Sequence, residues 1–223
     1  MINERIFLTK GAQRMDKRVI INTTLGIFFL GSLWGFVEAS MGDWLYSHEI
    51  AYPSLYLTTI AIVILASSKI FYPYRWTGTV IGAIALCFKL VNVPFFACHL
   101  LAILLLGFGF DIAYECVTRL YSGKYRLPLI GLFSAYAGRA LFAIIITYVV
   151  RYRFWTEPGL PKVIDYIFIT GTVSALLGSV AAPVGSHLTG MLREFSWPKM
   201  HPRFTAAAVL MTTAGIWMIQ MAL

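Results

Sequence analysis

A chain of 223 residues that is 59% apolar and only 13% charged, with a mean hydropathy of +0.75, carries more apolar surface than a soluble fold of that size can bury. The formal net charge of +8 invites a nucleic-acid reading, but its placement along the chain marks membrane topology and excludes that partner. Apolar runs of about twenty residues, in place of alternating ten-residue strands, exclude an outer-membrane barrel. The backbone must then satisfy its own hydrogen bonds segment by segment, so the fold class is all-α, a polytopic transmembrane helical bundle.

In chain order, residues 1–22 form a basic segment with Arg5, Lys10, Arg14, Lys17 and Arg18. The run after it is long and ends at Asp43, which predicts a retained membrane helix and not a cleaved signal. Six core segments are expected within 23–190, near 23–45, 53–72, 77–96, 98–118, 128–150 and 163–184. Pro53, Pro73, Pro94, Pro128, Pro161 and Pro202 mark the joints, where a missing N–H costs least. Asn92-Val93-Pro94 predicts a tight hairpin between the third and fourth segments. Residues 191–223 read as a basic inner loop and a seventh segment near 204–222. Across 185–203 an interfacial helix, with Leu188, Met191, Leu192 and Phe195 toward lipid, and a plain basic loop fit equally well.

With the N-terminus in the cytoplasm, thirteen of the eighteen Lys and Arg residues fall on the inner side. Only Arg151, Arg153 and Lys162 fall outside, and Lys89 and Arg139 lie within segments. This imbalance predicts a multi-pass protein of the cytoplasmic (inner) membrane with its N-terminus inside. Cys87, Cys98 and Cys116 form no CxxC and are expected as packed thiols.

A charge at bilayer depth costs a few kcal/mol on insertion scales, so it faces protein and usually has a task. Glu38, Lys89, Asp111, Glu115 and Arg139 qualify. At 100° per residue, Gly31, Gly35, Glu38 and Gly42 share a stripe, as do Gly78, Gly82, Ala85, Lys89 and Asn92, and Ala135, Arg139 and Ala143. Small residues admit close helix approach in lipid, so these charges point into the bundle. Glu38 and Lys89 lie at similar depth, either as a buried ion pair fixing register or as part of a polar pocket in the outer half. Glu115 can pair with Arg119 one turn on. Trp34, Trp44, Tyr46, His48, Phe95, Phe96, His99 and the run Arg151-Tyr152-Arg153-Phe154-Trp155 lie near that depth, as interfacial anchors or as pocket walls.

Enzyme chemistry finds no constellation. His99 and His187 lie at opposite ends of the membrane, and there is no HExxH, nucleophile motif or P-loop. The expectation is a non-enzyme with no catalytic residues, cofactor or metal site, unable to drive transport with ATP by itself.

The stretch Leu33-Trp34-Gly35-Phe36-Val37-Glu38-Ala39 with Gly42, the segment Gly78 to Lys89, and the run from His99-Leu100 through Gly107-Phe108-Gly109-Phe110-Asp111 resemble the substrate-capture membrane subunits (S components) of energy-coupling-factor transporters. The resemblance covers roughly residues 20–190. It implies a six-helix bundle that binds a vitamin-like nutrient in its outer half and docks on a transmembrane coupling subunit with two ATPases. It also implies that Gly31, Gly35 and Ala39 contact that subunit. Glycines stand where the family's contact motif is alanine-rich, and the segment 204–222 is additional. The expected substrate-binding residues are Glu38, Lys89 and Arg139, with Trp34, Trp44 and Asn92 around them. The rival readings are a scaffold or assembly factor in which these charges only pair helices, and a membrane enzyme or proton-coupled carrier using Glu38 and Asp111.

Overall fold

The computed structural model describes residues 17–91, 97–194 and 202–222 of the chain. The basic residues Arg5, Lys10 and Arg14, the hairpin Asn92-Val93-Pro94 with Phe95 and Phe96, and Phe195 lie outside the described residues.

The described chain is helical throughout: α1 (Lys17–Ser47), α2 (Pro53–Phe71), α3 (Thr77–Leu90), α4 (Ala97–Leu120), α5 (Arg126–Ile144), α6 (Arg153–Thr156), α7 (Leu160–Asp165), α8 (Gly171–Glu194) and α9 (Pro202–Ala222). Five helical stretches are long and apolar enough to cross a membrane, namely Ile20–Ser47, Pro53–Phe71, Cys98–Leu120, Arg126–Val149 and Leu160–Met191. The protein is therefore a multi-pass α-helical membrane protein. Two of the seven expected segments are shorter. The third stops at Leu90 and the last is apolar over Ala207–Met221. The sixth is longer than expected, because α8 runs without a break through 185–194, where a separate interfacial helix or loop was the expectation.

Two single π-helical turns interrupt the helices, Ile145–Val149 at the end of α5 and Tyr166–Thr170 between α7 and α8. Each bonds to the fifth residue along and so rotates the side chains beyond it relative to an α-helix, a device frequent at functional sites. Proline opens α2 at Pro53 and sits in the first turn of α7 at Pro161, where its absent N–H has no intrahelical role.

Helix order in space differs from helix order in sequence. α1 packs on α3, α3 on α4, α4 on α5, α5 on α8, α8 on α2, and α2 returns to α1. Six helices thus close a ring. α9 stands outside it against α1, where Trp217 donates to Ser32 Oγ at 3.0 Å and stacks on Phe28.

Glycines set these contacts. A Cβ on Gly31 or Gly35 would meet Ile84 or Phe88 of α3 at 2.6 and 2.5 Å, and one on Gly107 would lie 2.5 Å from the Gly78 carbonyl. Gly131 and Gly178 cross backbone to backbone, where a Cβ on Gly131 would lie 1.9 Å from the Gly178 carbonyl oxygen. The outward faces carry Ile21, Phe168, Ile169, Val180 and Met211, all exposed, which only a lipid surround tolerates. Cys87 and Cys116 are on that exposed surface and Cys98 is half-buried, so the thiols are not the packed core groups expected.

Replacing Gly131 by Ala is expected to destabilise the bundle by about 1–3 kcal/mol, because neither backbone can yield. Gly190→Ala, where a Cβ meets nothing within 4 Å, serves as the control. Thermal melts in detergent should show a lowered midpoint for the first and an unchanged or raised one for the second.

Candidate functional site

The end of the ring away from the N-terminus holds a cavity of about 80 Å³. Glu38 and Tyr46 reach it from α1, Ser54, Leu57 and Thr58 from α2, and Lys89 from α3. α4 supplies His99, Ala102, Ile103 and Leu106, α5 supplies Gly138, Arg139 and Phe142, and the second π-turn supplies Tyr166. The ring therefore converges five helices and one π-turn on a single space, and the three intramembrane residues Glu38, Lys89 and Arg139 share it.

Glu38 is 8% exposed and its Oε1 accepts a hydrogen bond from Trp34 Nε1 at 3.1 Å. Trp34 is wholly buried beneath the cavity, so it orients the carboxylate and does not line the space. Lys89 does not pair with that carboxylate. Its Nζ donates to the backbone carbonyl of Glu38 at 2.7 Å and rests over Gly42, where a Cβ would stand 3.4 Å from it. The register-fixing ion pair therefore takes a different form, an ammonium seated on helix backbone.

Arg139 is 4% exposed, yet its Nε and Nη1 have no hydrogen-bond partner among the described residues. Its Nη2 reaches the Ser54 carbonyl and Oγ only at 3.5 Å each, the limit of hydrogen bonding. The guanidinium lies over the Tyr166 ring, 5.0 Å from its centroid, and Tyr166 packs on Phe142 and Trp155. A cation–π contact of this kind stabilises by about 0.5–2 kcal/mol. The planar fork of a guanidinium matches the geometry of a carboxylate or phosphate. Two cations against one carboxylate leave the cavity formally positive.

The remaining sequence-derived residues fall elsewhere. Trp44 is 53% exposed and packs at a tilt against His48, and it does not line the cavity. Asn92 lies outside the described residues. Gly31, Gly35 and Ala39 are buried against the chain's own helices, and α3 covers both glycines. In this structure that face is an internal contact with α3. Tyr46 and His99 do reach the cavity, with the Tyr46 hydroxyl 3.3 Å from His99 Nε2. Ser54, Thr58 and Tyr166 belong to the site although no charge marks them.

Asp111 occupies the opposite half of the bundle and is fully engaged. It accepts from Lys69 Nζ at 2.7 Å, from the backbone N–H of Gly78 at 3.1 Å and of Thr79 at 2.6 Å, and from Thr79 Oγ1 at 2.8 Å. It is a cap in trans for the first turn of α3. Lys69 also donates to the Tyr74 carbonyl at 2.9 Å. Glu115 pairs with Arg119 at 3.0 Å on the exposed surface, as their spacing predicts. Among the described residues no group of three His, Cys, Asp or Glu side chains could hold a metal.

Fold and site together define a multi-pass membrane protein with a small, formally positive cavity enclosed by a ring of helices. The chain matches no protein-family model, no curated protein and no solved structure at significance.

Proposed function

We propose that this protein is a membrane substrate-capture component that takes up a small carboxylate-bearing solute, anionic or zwitterionic, from the outer face of the cytoplasmic membrane. The observation that carries the reading is Arg139, buried in the cavity with Nε and Nη1 unpartnered. Arg139 receives the carboxylate, Lys89 adds positive potential, and the Glu38 carboxylate is placed to meet a ligand ammonium. Drug-sized ligands occupy pockets of about 300–1,000 Å³, so the cavity of about 80 Å³ fits one compact group. A larger vitamin-like nutrient would insert its acid end and require the mouth at Tyr46 and Ser54 to widen. Energy comes from a separate ATP-driven coupling module, as the resemblance to energy-coupling-factor S components implies.

Native mass spectrometry of the gently purified protein tests the binding step. A retained acid, or thermal stabilisation by members of a panel of small carboxylates, is the expected result. A protein that retains nothing and is stabilised by no carboxylate overturns the reading.

The orientation rests on the basic residues inside. Single cysteines introduced at 124 and at 156 in a background lacking Cys87, Cys98 and Cys116 should label from opposite sides, with 156 reactive from outside intact cells. Labelling of position 124 from outside would invert the topology and turn the cavity toward the cytoplasm.

A further inference from the structure

The same ring holds a second cavity, of about 200 Å³, at the end where the chain enters. It is lined by Ala66 and Lys69 of α2, Phe110 of α4, and Arg126 and Ile130 of α5, with α8 along its side. Both cavities therefore lie between α2, α4 and α5, at opposite ends of one bundle. Leu106 lines the first and Phe110 the second, and these residues are one helical turn apart on α4, about 6 Å along the axis. On α2 the interval from Thr58 to Ala66 is filled by the buried Ala61, Ile62 and Leu65, and on α5 the interval from Gly138 to Ile130 by Ser134 and Ala135. Ile62, Leu65, Leu106, Phe110 and Ala135 belong to one continuous apolar cluster. It separates the two chambers by about 6 Å along α4 and about 12 Å along α2 and α5.

Charge has the same sign on both sides. Arg139 and Lys89 stand over Glu38 in one chamber, and Lys69 and the exposed Arg126 line the other. Asp111 neutralises Lys69 at 2.7 Å, so the exposed Arg126 is the net positive group of that chamber. Basic side chains at both ends and an apolar layer packed between them are the components of an anion path closed by that packing.

We infer that the two cavities are the vestibules of one path for small anions through the bundle axis, closed in this conformation by the Leu106–Phe110 septum. The protein would then pass its solute through its own ring, and a coupling partner would act on the septum and not supply the pathway. Leu106 packs directly on Gly138, where an added Cβ would stand 3.1 Å from its Cδ1.

The test uses the full chain purified and reconstituted in lipid vesicles, with iodide and potassium as probe ions. Leu106→Ala combined with Phe110→Ala is expected to raise iodide flux at least tenfold over the parent, with iodide at least tenfold faster than potassium. A folded double variant with parental iodide flux, or one that passes potassium equally fast, overturns the inference. Should the double variant not fold, Leu106→Cys and Phe110→Cys, made singly in the cysteine-free background, decide the matter. Each should react with an anionic thiosulfonate faster than with a cationic one, from opposite sides of the membrane. Thiols inert from both sides reject the path. Failure of the carboxylate-binding reading is a separate result, read on the parent as absent ligand retention, and leaves septum flux untouched.

Discussion

Asp111→Ala is expected to lower the stability of the bundle by about 3–5 kcal/mol, since it strands the buried Lys69 ammonium 2.7 Å from where its counter-charge stood. The loss reaches further than the ion pair. The N–H groups of Gly78 and Thr79 in the first turn of α3 also lose their acceptor, and a lipid surround offers them no water. This distinguishes the site from an ordinary buried salt bridge, which apolar residues of similar volume often replace without cost. Lys69→Met with Asp111→Leu removes both charges but leaves α3 uncapped, so it should recover only part of the stability. Asp111→Asn keeps an acceptor for α3 and should fall between. Thermal midpoints of the three variants in one detergent check the order. Full recovery in the Met/Leu variant would show that the cap carries no weight.

The charges within the membrane were legible from sequence because each is costly there, and their small-residue stripes told which way Glu38, Lys89 and Arg139 face. Their meeting in one cavity depends also on the order of the helices in the ring. What was not legible has three physical sources. Ser54, Thr58 and Tyr166 are neutral, common near helix ends, and in the case of Tyr166 placed by a π-turn that ordinary helical periodicity does not show. Lys69 sits in the last turn of α2, where a lysine reads as a topology marker, and only the tertiary fold reveals that it spans to Asp111. The ring order, with α3 and not α2 making the closer partner of α1, depends on which glycine surfaces match, and many pairings satisfy the same stripes. Gly31 and Gly35 show the consequence. A small-residue stripe states that something packs closely, and here the occupant is α3 of the same chain.

Arg139 separates an anchor for a ligand from a strut, because the two roles give stability changes of opposite sign. A strut leaves its partners unmet when removed and destabilises the protein. Arg139 has few partners to leave, since its contacts to Ser54 are 3.5 Å long, Nε and Nη1 make no hydrogen bond of normal geometry, and Tyr166, ring and hydroxyl, is its main neighbour. Without ligand the buried guanidinium is itself a cost of several kcal/mol that the Tyr166 ring offsets only in part. Arg139→Met keeps most of the side chain's length and packing against Phe142 and Tyr166 while deleting the charge. The ligand-free Met variant is therefore expected to melt at or above the parent's temperature, by up to about 2 kcal/mol of added stability, as when a functional group is removed from a strained site. At the same time, carboxylate binding should fall at least a hundredfold, about 2.7 kcal/mol or more, with the loss of a charge-assisted bidentate contact. Arg139→Lys restores the charge without the planar fork and should recover only a small part of the affinity. Scanning calorimetry with and without the carboxylate found by mass spectrometry measures both quantities on the same samples. A Met variant that melts well below the parent and binds the carboxylate equally well would make Arg139 a structural group, and the capture reading would lose its anchor.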